Sequence, residues 1–355
     1  MRKFRDPKRY GRLDLAKHCF IHKGRYADFF SWYFGKEGAL KVFDLVPIRY
    51  SGDLHSVKWG DDPDHGTPRK NTTLWEATQI QNILSWYGLA PRVYGLDAVE
   101  INNKLFPVQF IEFLEYEEDK VLTQAEVNKV IDQCDQVGRK YGFSKEVNIA
   151  SPADIINGKL VDPQFYAFDK PYQYTVHNIY RTNKYGKFYY QDVPELGLES
   201  GPRKSKQREI DLGLDRIDFK DKTVVDIGCA GGYFTRAAVD RGAKLADGLD
   251  ELTQIESARN VANFLGYFNN SYYVVDLLKD KWHINYDIVF FLSLNYHIGI
   301  PQQVLDAPMV IFEDNSKETR NITTLGKPWT DHFSRIEFIG EASDHGRKSI
   351  YHLYK

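Results

Sequence analysis

Cysteine is scarce in this sequence, with only Cys19, Cys134 and Cys229 among 355 residues and none of them in CxxC spacing. An odd number of widely separated cysteines indicates neither a disulfide framework nor a cysteine zinc site. We therefore expect an intracellular, cytoplasmic protein. No other spacing of metal-ligating residues is strong enough to propose a metal.

Long apolar runs are also missing. The most apolar stretch, residues 288–294, is too short to span a bilayer. The basic cluster from Arg2 to Arg12 is not followed by the apolar segment that a secretory signal needs. We therefore expect no association with a membrane, and we interpret the basic cluster as a solvated arm that could touch phosphate.

The chain carries no excess of either charge, since 47 Lys and Arg residues face 49 Asp and Glu residues, a net charge of −2 with histidine neutral. This balance does not indicate a protein that coats nucleic acid through a general basic field, although a local basic patch stays open. The abundant residues are aromatic, at 14% of the chain. A chain of 355 residues suits two domains.

A segment rich in glycine, proline and charge, between Pro194 and Pro202, divides the chain into two regions of different pattern. We predict an N-terminal domain over 1–194, a linker over 195–204 and a C-terminal domain over 205–355. The N-terminal region mixes candidate strands and helices, which predicts an aromatic-rich α+β domain. Its predicted strands cover residues 48–59, 92–99 and 105–114, and its predicted helices cover 74–87 and 124–141.

The C-terminal region alternates β-branched apolar runs with helical segments. Strands are predicted at 223–227, 244–249, 272–276, 286–293 and 309–312, with helices at 205–214, 233–240 and 253–265. This order is typical of an α/β fold with a Rossmann-like, doubly wound, mostly parallel sheet. Residues 335–341 and 349–354 flank a turn-rich segment and predict a terminal antiparallel hairpin.

The strongest functional signal is the sequence VVDIGCAGGYF, where a predicted strand ends in Asp226 and a turn of small residues leads into a helix. The small residues of the turn are Gly228, Ala230, Gly231 and Gly232. We interpret them as the place where a ligand approaches the backbone closely, because side chains would fill that space. The N–H groups at the start of the helix would face the same ligand.

Two further acids end the next two predicted strands, Asp250 in GLD and Asp276 in VVD. Carboxylates gathered at one edge of a sheet are costly unless a donor-rich ligand lies there, and Asp250 stands where an acid accepts both hydroxyls of a ribose. A dinucleotide is disfavoured, because the turn lacks G-x-G-x-x-G spacing. The alternative is a degenerate domain whose aspartates cap helices or lie in solvent.

Together these residues resemble the class I S-adenosylmethionine-dependent methyltransferases. VVDIGCAGGYF is similar to the family's first motif, with Ala230 in place of its commoner middle glycine. The resemblance covers roughly residues 205–355 and implies S-adenosylmethionine (SAM) as the cofactor. It implies that Asp226 and the small-residue turn hold the methionine part, Asp250 the ribose and Asp276 the adenine amino group.

The segment YDIVFFLSLNYHI resembles the family's fourth strand and the loop that faces the transferred methyl group. It places Leu292 beside the cofactor, makes His297 a candidate base, and makes Asn295 and Tyr296 candidates for orienting the acceptor. A packed histidine bonded to backbone is an equal alternative for His297. Cys229, inside the turn, is interpreted as a small packed side chain rather than a nucleophile.

Within the family, GCAGGYF, GLDELTQ and SLNYH are most similar to the branch that modifies the wobble uridine of transfer RNA. A basic cluster just ahead of the domain could bind a phosphate or carboxylate group, or form a solvated linker. The cluster consists of Arg203, Lys204, Lys206 and Arg208.

The segments IRYSGDLHSVKWG, LWEATQIQNILSWYGLAPRVYG and FPVQFIEFLE weakly resemble the small lobe of kinase-like phosphotransferases. The resemblance implies that Lys58 is the strand lysine and Glu76 its helix partner, with Asp162 at the metal-binding turn. The glycine-rich loop and the His-Arg-Asp stretch of kinases are missing from the sequence, which indicates a degenerate lobe. The tyrosines of this region could instead present an acceptor by stacking, or form an aromatic core.

The sequence therefore predicts a SAM-dependent methyltransferase acting on an oxygen or nitrogen nucleophile of a polar acceptor, such as a glycan, a small metabolite or RNA. Two alternatives stay open. One is a non-catalytic two-domain binding protein with a degenerate methyltransferase fold, and the other is a kinase-like phosphotransferase in the N-terminal domain.

Overall fold

The chain forms two compact units, residues 1–175 and 176–355. The computed structural model describes residues 20–23, 28–33, 37–42, 73–101, 104–114, 122–145, 155–161, 166–181, 191–198, 203–268, 270–280, 282, 285–314, 325–343 and 348–355. Among the helices in these ranges, none has the length and apolar character needed to cross a membrane. The basic cluster Arg2 to Arg12 and the predicted strand at 48–59 lie outside the described residues.

The first unit is built on a five-stranded antiparallel sheet in the order β1-β2-β3-β5-β4. Its strands are β1 (Phe20–Lys23), β2 (Asp28–Tyr33), β3 (Glu37–Val42), β4 (Val93–Ile101) and β5 (Lys104–Glu112). The helix α1 (Leu74–Ser85) lies between β3 and β4 in the chain and packs on the sheet. The predicted helix at 74–87 and the predicted strands at 92–99 and 105–114 are confirmed within a few residues.

The first unit continues with α2 (Gln124–Tyr141), which has the predicted bounds. Thr123 and Glu126 form a capping box at its start, and Gly142 ends it with a φ of 75°. Short antiparallel pairs follow, in which β6 (Phe143–Lys145) pairs with β9 (Tyr166–Phe168) and β7 (Ile155–Ile156) with β8 (Lys159–Leu160). The helix α3 (Tyr172–Arg181) comes next in the chain.

The second unit contains a seven-stranded sheet in the order β12-β11-β10-β13-β14-β16-β15. Its strands are β10 (Thr223–Ile227), β11 (Leu245–Asp250), β12 (Ser271–Val274), β13 (Ile288–Leu292), β14 (Met309–Glu313), β15 (Arg335–Glu341) and β16 (Ser349–Tyr354). The first five are parallel, whereas β16 is antiparallel to both of its neighbours. The predicted doubly wound α/β fold with a terminal antiparallel hairpin is confirmed.

Helices cover both faces of this sheet, so its central strands are buried and apolar. The helices are α4 (Ser205–Asp211), α5 (Tyr233–Asp240), α6 (Leu252–Leu265), α7 (Asn295–Ile298), α8 (Gln302–Asp306) and α9 (Lys327–His332). Successive strand residues enter opposite cores: Val224 packs with Phe290, and Val225 packs with Val289. The helix predicted at 205–214 ends earlier, because Gly213 takes a left-handed φ of 60°.

Candidate active site

The strand order reverses between β10 and β13, since the chain runs outward through β11 and β12 and then returns to the other side of β10. At such a switch point the loops that follow the two strands diverge and leave a crevice at the carboxyl edge of the sheet. Here the loops are 228–232 after β10 and 293–298 after β13. The predicted site residues belong to these two loops or to the neighbouring strand ends.

The structure brings Asp226 and Asp250 together at this edge. Asp226 is paired with Gly248 of β11, two residues before Asp250, and the two carboxylates interact electrostatically. Asp250 is bonded to the small-residue turn, because its Oδ2 accepts from the Ala230 N–H at 2.8 Å. Its Oδ1 accepts from the Glu251 N–H at 2.7 Å. A carboxylate oxygen can accept more than one hydrogen bond, so these contacts orient Asp250 without using all of its acceptor capacity.

The glycines of the turn are packed against side chains of the protein itself. A Cβ added to Gly231 would lie 2.6 Å from the Tyr180 hydroxyl oxygen, and one on Gly232 would lie 2.6 Å from the Tyr272 ring. At these two positions the structure gives a further reason for glycine besides the expected close approach of a ligand, because the aromatic side chains of Tyr180 and Tyr272 occupy the space that a Cβ would need.

Ala230 is the one residue of the turn with a side chain in a left-handed conformation, at φ 48°. An alanine there costs roughly 1 kcal/mol relative to glycine. The hydrogen bond from the Ala230 N–H to Asp250 stabilises this conformation. Cys229 beside it is buried, and burial followed by the charges of Asp250 and Asp226 raises the pKa of its thiol well above the usual range. A thiol in that state is a packed side chain and not a nucleophile.

Asp226 is only 2% exposed and accepts a hydrogen bond from Thr235 Oγ1 at 3.4 Å. Burial raises the pKa of this carboxyl to about 7, with Arg208 opposing the shift and the charge of Asp250 adding to it. Asp226 therefore exchanges a proton near neutral pH, and a cationic ligand would favour its ionised form.

Asp276 follows β12 by two residues, at the same edge of the sheet, and lies in solvent. Its Oδ1 accepts from the N–H groups of Leu278 and Lys279, and its Oδ2 accepts from Lys279 Nζ at 2.8 Å. These bonds, the one from the Lys279 ammonium first, lower the pKa of the carboxyl. Asp276 thus caps the turn after β12. To contact adenine as predicted, its carboxylate would have to accept a further hydrogen bond besides those of the turn.

The residues predicted near the acceptor lie at the end of β13 and in α7. Leu292 is half-buried at the strand end, and Asn295 Nδ2 donates to Asp314 Oδ1 at 2.7 Å. Tyr296 is 78% exposed, and His297 beside it is also exposed, with the two rings edge to face at 5.6 Å. The alternative of a packed His297 is wrong, since its imidazole faces solvent.

A buried charged group that was not predicted from the sequence lies beside this loop. Glu313, the last residue of β14, has no exposed surface and accepts from Arg203 Nη2 at 2.5 Å and Arg208 Nη2 at 2.8 Å. Lys348 Nζ lies 3.7 Å from Glu313 Oε1 and donates to Ser293 Oγ at 2.8 Å. Ser293 Oγ in turn donates to Glu313 Oε1. We call these five residues the Glu313 cluster.

The cations of the cluster keep Glu313 ionised. Burial alone would raise the pKa of this carboxyl, but the charges of Arg208 and Arg203 and the bond from Ser293 outweigh it and lower the pKa to about 2. Glu313 could have been noticed in the sequence, because it ends an apolar strand as Asp250 does, and Asp226 is the last but one residue of another. Its arginine partners could not, since they come from a segment with the composition of a linker.

The basic segment ahead of the domain therefore has two kinds of residue. Lys204 and Lys206 are exposed, as expected of a solvated linker. Arg203 and Arg208 are buried, so for them that expectation is wrong. Their guanidinium groups bind a carboxylate of this same chain.

Two residues of the kinase-like resemblance, Lys58 and Asp162, lie outside the described residues. Glu76 is described, and its carboxylate caps α1 by accepting from the Thr73 N–H at 3.0 Å. Among the described residues, the strand that precedes α1 in the chain is β3, which contains Lys41 in register with Phe29 and Gln109. Lys41 was not singled out from the sequence, although the short apolar run GALKV around it is typical of a strand. In the part of the chain that the structure describes, no cluster of His, Cys, Asp or Glu side chains is arranged to hold a metal.

No protein-family model and no curated protein matches the sequence. Among solved structures, the bifunctional kinase-methyltransferase WbdD is 20% identical, with a TM-score of 0.40, over 50% of this chain and 46% of its own. Magnesium protoporphyrin IX methyltransferase from Synechocystis PCC 6803, solved with bound SAM, is 20% identical, with a TM-score of 0.34, over 42% of this chain and 80% of its own. The chain thus matches about half the length of WbdD, and both similar structures are methyltransferases.

Proposed function

We propose that this protein transfers a methyl group from SAM to a polar acceptor. The observation that carries the proposal is the topological switch point between β10 and β13, where Asp226 and Asp250 meet a turn of small residues at the carboxyl edge of the sheet. Two carboxylates at such an edge suit a ligand with a positive charge and several O–H or N–H donors. A negatively charged pyrophosphate would be repelled by the same two groups.

The hydrogen-bond acceptors and the negative charge of the crevice fit SAM. Asp250, oriented by the Ala230 and Glu251 N–H groups, would accept the ribose hydroxyls. Asp226 would stabilise the cationic methionine part, and its proton would be lost as that part binds. The bound cofactor would supply a methyl group on a sulfonium. When the methyl group passes to the acceptor, the rest of the cofactor is left as a neutral sulfide.

The chain's own residues then have to align the acceptor and exclude water, because the displacement itself requires little acid or base. Exposed His297 can accept the proton of an attacking hydroxyl or amine, and Tyr296 offers a ring on which a flat or apolar part of the acceptor can rest. Both side chains open to solvent, so the acceptor can be part of a larger molecule. An RNA, a glycan and a small metabolite all satisfy these requirements.

The first test is calorimetry with SAM on the full chain. The wild type should bind, Asp250→Ala should bind at least tenfold more weakly, and the exposed, distant Asp306→Ala should bind as the wild type does. Absence of binding to the folded wild type would refute the proposal. The acceptor class is then found by labelled methyl transfer into cell extract, with RNA, carbohydrate and small-molecule fractions counted separately. Label in none of the fractions, with SAM still bound, would favour a non-catalytic binding protein.

A second candidate function, phosphoryl transfer by the first unit, is favoured by one observation. Its antiparallel sheet carries α1 between β3 and β4, the order of strand, helix and further strands that the kinase-like resemblance requires. Lys58 is the strand lysine that the resemblance implies, and within the described residues Lys41 of β3 offers a second candidate for that position. Protection of either lysine from acylation by MgATP would support this candidate function. Equal labelling of both lysines with and without nucleotide would rule it out.

A further inference from the structure

Ser293, at the end of β13, is held in a conformation that a serine rarely adopts. Its φ is 62°, in the left-handed region, which costs roughly 1 kcal/mol for a residue with a Cβ. Three hydrogen bonds hold it there. The N–H donates to the Glu313 carbonyl oxygen at 2.8 Å, the Oγ donates to the Glu313 carboxylate, and the Oγ accepts from Lys348 Nζ at 2.8 Å.

The left-handed residue sets the direction of the chain that follows it. Leu294 lies against Gly228 across the crevice, and its carbonyl oxygen accepts from the N–H groups of His297 and Ile298 at 2.8 and 3.0 Å. The side chain of Asn295 is tied to Asp314 at 2.7 Å. Residues 293–298, which we call the acceptor loop, therefore take their course from Ser293.

Stability alone is a poor reason for the cluster around this serine. Arg203 and Glu313 are each 1% exposed in their side chains, and a buried ion pair gains little net stability over apolar residues of similar volume. The best-attested use of such pairs is to fix one conformation among several. Here the carboxylate held by the arginines is the group to which the strained residue is bonded.

We propose that Glu313 is a positioning residue, and that with Lys348 it locks Ser293 so that the acceptor loop presents Tyr296 and His297 beside the transferred methyl group. The catalytic part of this proposal rests on the proposed function. The conformational part does not, because the lock exists in the protein without cofactor. Arg203 and Arg208 hold Glu313, Glu313 and Lys348 hold Ser293, and Ser293 directs the loop.

The test uses mild variants at the edge of the cluster, because removal of Glu313 would take away the carboxylate that both buried arginines bind. Ser293→Ala removes the hydroxyl and keeps the strain, whereas Ser293→Gly removes both. Lys348→Met removes the donor to Ser293, and Lys348→Arg keeps it. The matched control is Lys327→Met, an exposed lysine in α9.

Hydrogen exchange of the backbone amides of 293–298 reports the lock directly in the full chain. We expect exchange about tenfold faster or more in Ser293→Ala, Ser293→Gly and Lys348→Met, from the loss of a charge-assisted hydrogen bond. Lys348→Arg and Lys327→Met should exchange at the wild-type rate, and the amides of β10 should be unchanged in all five variants. The proposal would be overturned if Ser293→Ala and Lys348→Met exchanged at the wild-type rate. It would also be overturned if Lys348→Arg exchanged as fast as Lys348→Met.

Kinetics separate positioning from cofactor binding. With the extract fraction that the wild type labels best as acceptor, the methyl-transfer rate of Ser293→Ala should fall about tenfold while its SAM affinity stays within about twofold of wild type. An unchanged rate together with fast loop exchange would overturn the catalytic part. If the wild type binds SAM but labels no fraction, the proposed function fails, and the exchange measurement still decides whether the lock exists.

Discussion

Leu294 Cδ1 lies 2.7 Å from the position that a Cβ on Gly228 would occupy. The two residues belong to the loops on opposite sides of the switch point, so the two loops approach each other closely there. Gly228 also has a φ of 70°, which adds a conformational reason for glycine. The contact makes each loop sensitive to a change in the other.

Gly228→Ala should therefore destabilise the second unit and weaken SAM binding together. We expect a loss of about 2–4 kcal/mol in the free energy of unfolding, from overpacking against Leu294 and from left-handed strain. SAM affinity should fall at least tenfold. Urea unfolding and calorimetry measure the two effects.

The control for this variant is Gly197→Ala, since Gly197 has a φ of 68° but nothing within 4 Å of an added Cβ. The free energy of unfolding of Gly197→Ala should fall by about 1 kcal/mol, which is the cost of left-handed strain alone. The double variant Gly228→Ala/Leu294→Ala should recover part of the stability that Gly228→Ala loses. Equal losses in Gly228→Ala and Gly197→Ala would contradict the contact described above.

The raised pKa of Asp226 makes the stability of the unliganded protein depend on pH. Its carboxyl titrates near 7 in the folded state and near 3.8 when unfolded, so the folded state binds more protons between these values. The stability that this group contributes is complete below about pH 4 and is lost as pH rises through 7. Between pH 5 and 8 the wild type should lose about 2–3 kcal/mol relative to Asp226→Asn, as measured by urea unfolding.

The same carboxyl should release a proton when SAM binds, because the cationic ligand favours the ionised form. Calorimetry at pH 6 in buffers of different ionisation enthalpy should show release of most of one proton by the wild type and none by Asp226→Asn. SAM affinity of the wild type should rise with pH up to about 7. A wild type with no proton release at pH 6 would mean that Asp226 does not face the cofactor.

Asp250 and Asp276 should differ in their importance for SAM. Asp250→Ala removes the bidentate acceptor and also the partner of the Ala230 N–H, so affinity should fall at least tenfold, with Asp250→Asn intermediate. Asp276→Ala should lower SAM affinity by between about twofold and tenfold, because this side chain is exposed and already caps a turn. Lys279→Met, which removes only the cation on Asp276, should bind as the wild type does. No change in Asp276→Ala would argue against its contact with adenine.

The sequence was sufficient to predict the features that depend on local pattern. Apolar runs with acids at their ends located β10 and β11 with Asp226 and Asp250, because parallel strands bring their carboxyl ends to one edge. The residues 276–279 form a local turn whose hydrogen bonds span two and three positions. The capping role of Asp276 could therefore have been expected from the sequence alone.

The Glu313 cluster could not be predicted in this way. Arg203 and Glu313 are 110 residues apart, and Lys348 and Ser293 are 55 apart. Which cation meets which carboxylate over such separations depends on the packing of whole strands and not on any pattern near either residue. The packing of Tyr180 on Gly231 is of the same kind, because a glycine in the sequence does not reveal what covers it.

β16 lies between β14 and β15, although it follows both in the chain. Until β16 inserts, β14 is an open edge with unpaired backbone groups, and its run Met309–Glu313 is almost wholly apolar. Such an edge can add a strand from another molecule instead. Partly folded chains should therefore aggregate through β14. We expect a variant in which β16 inserts faster to refold in higher yield than a variant with a more stable core.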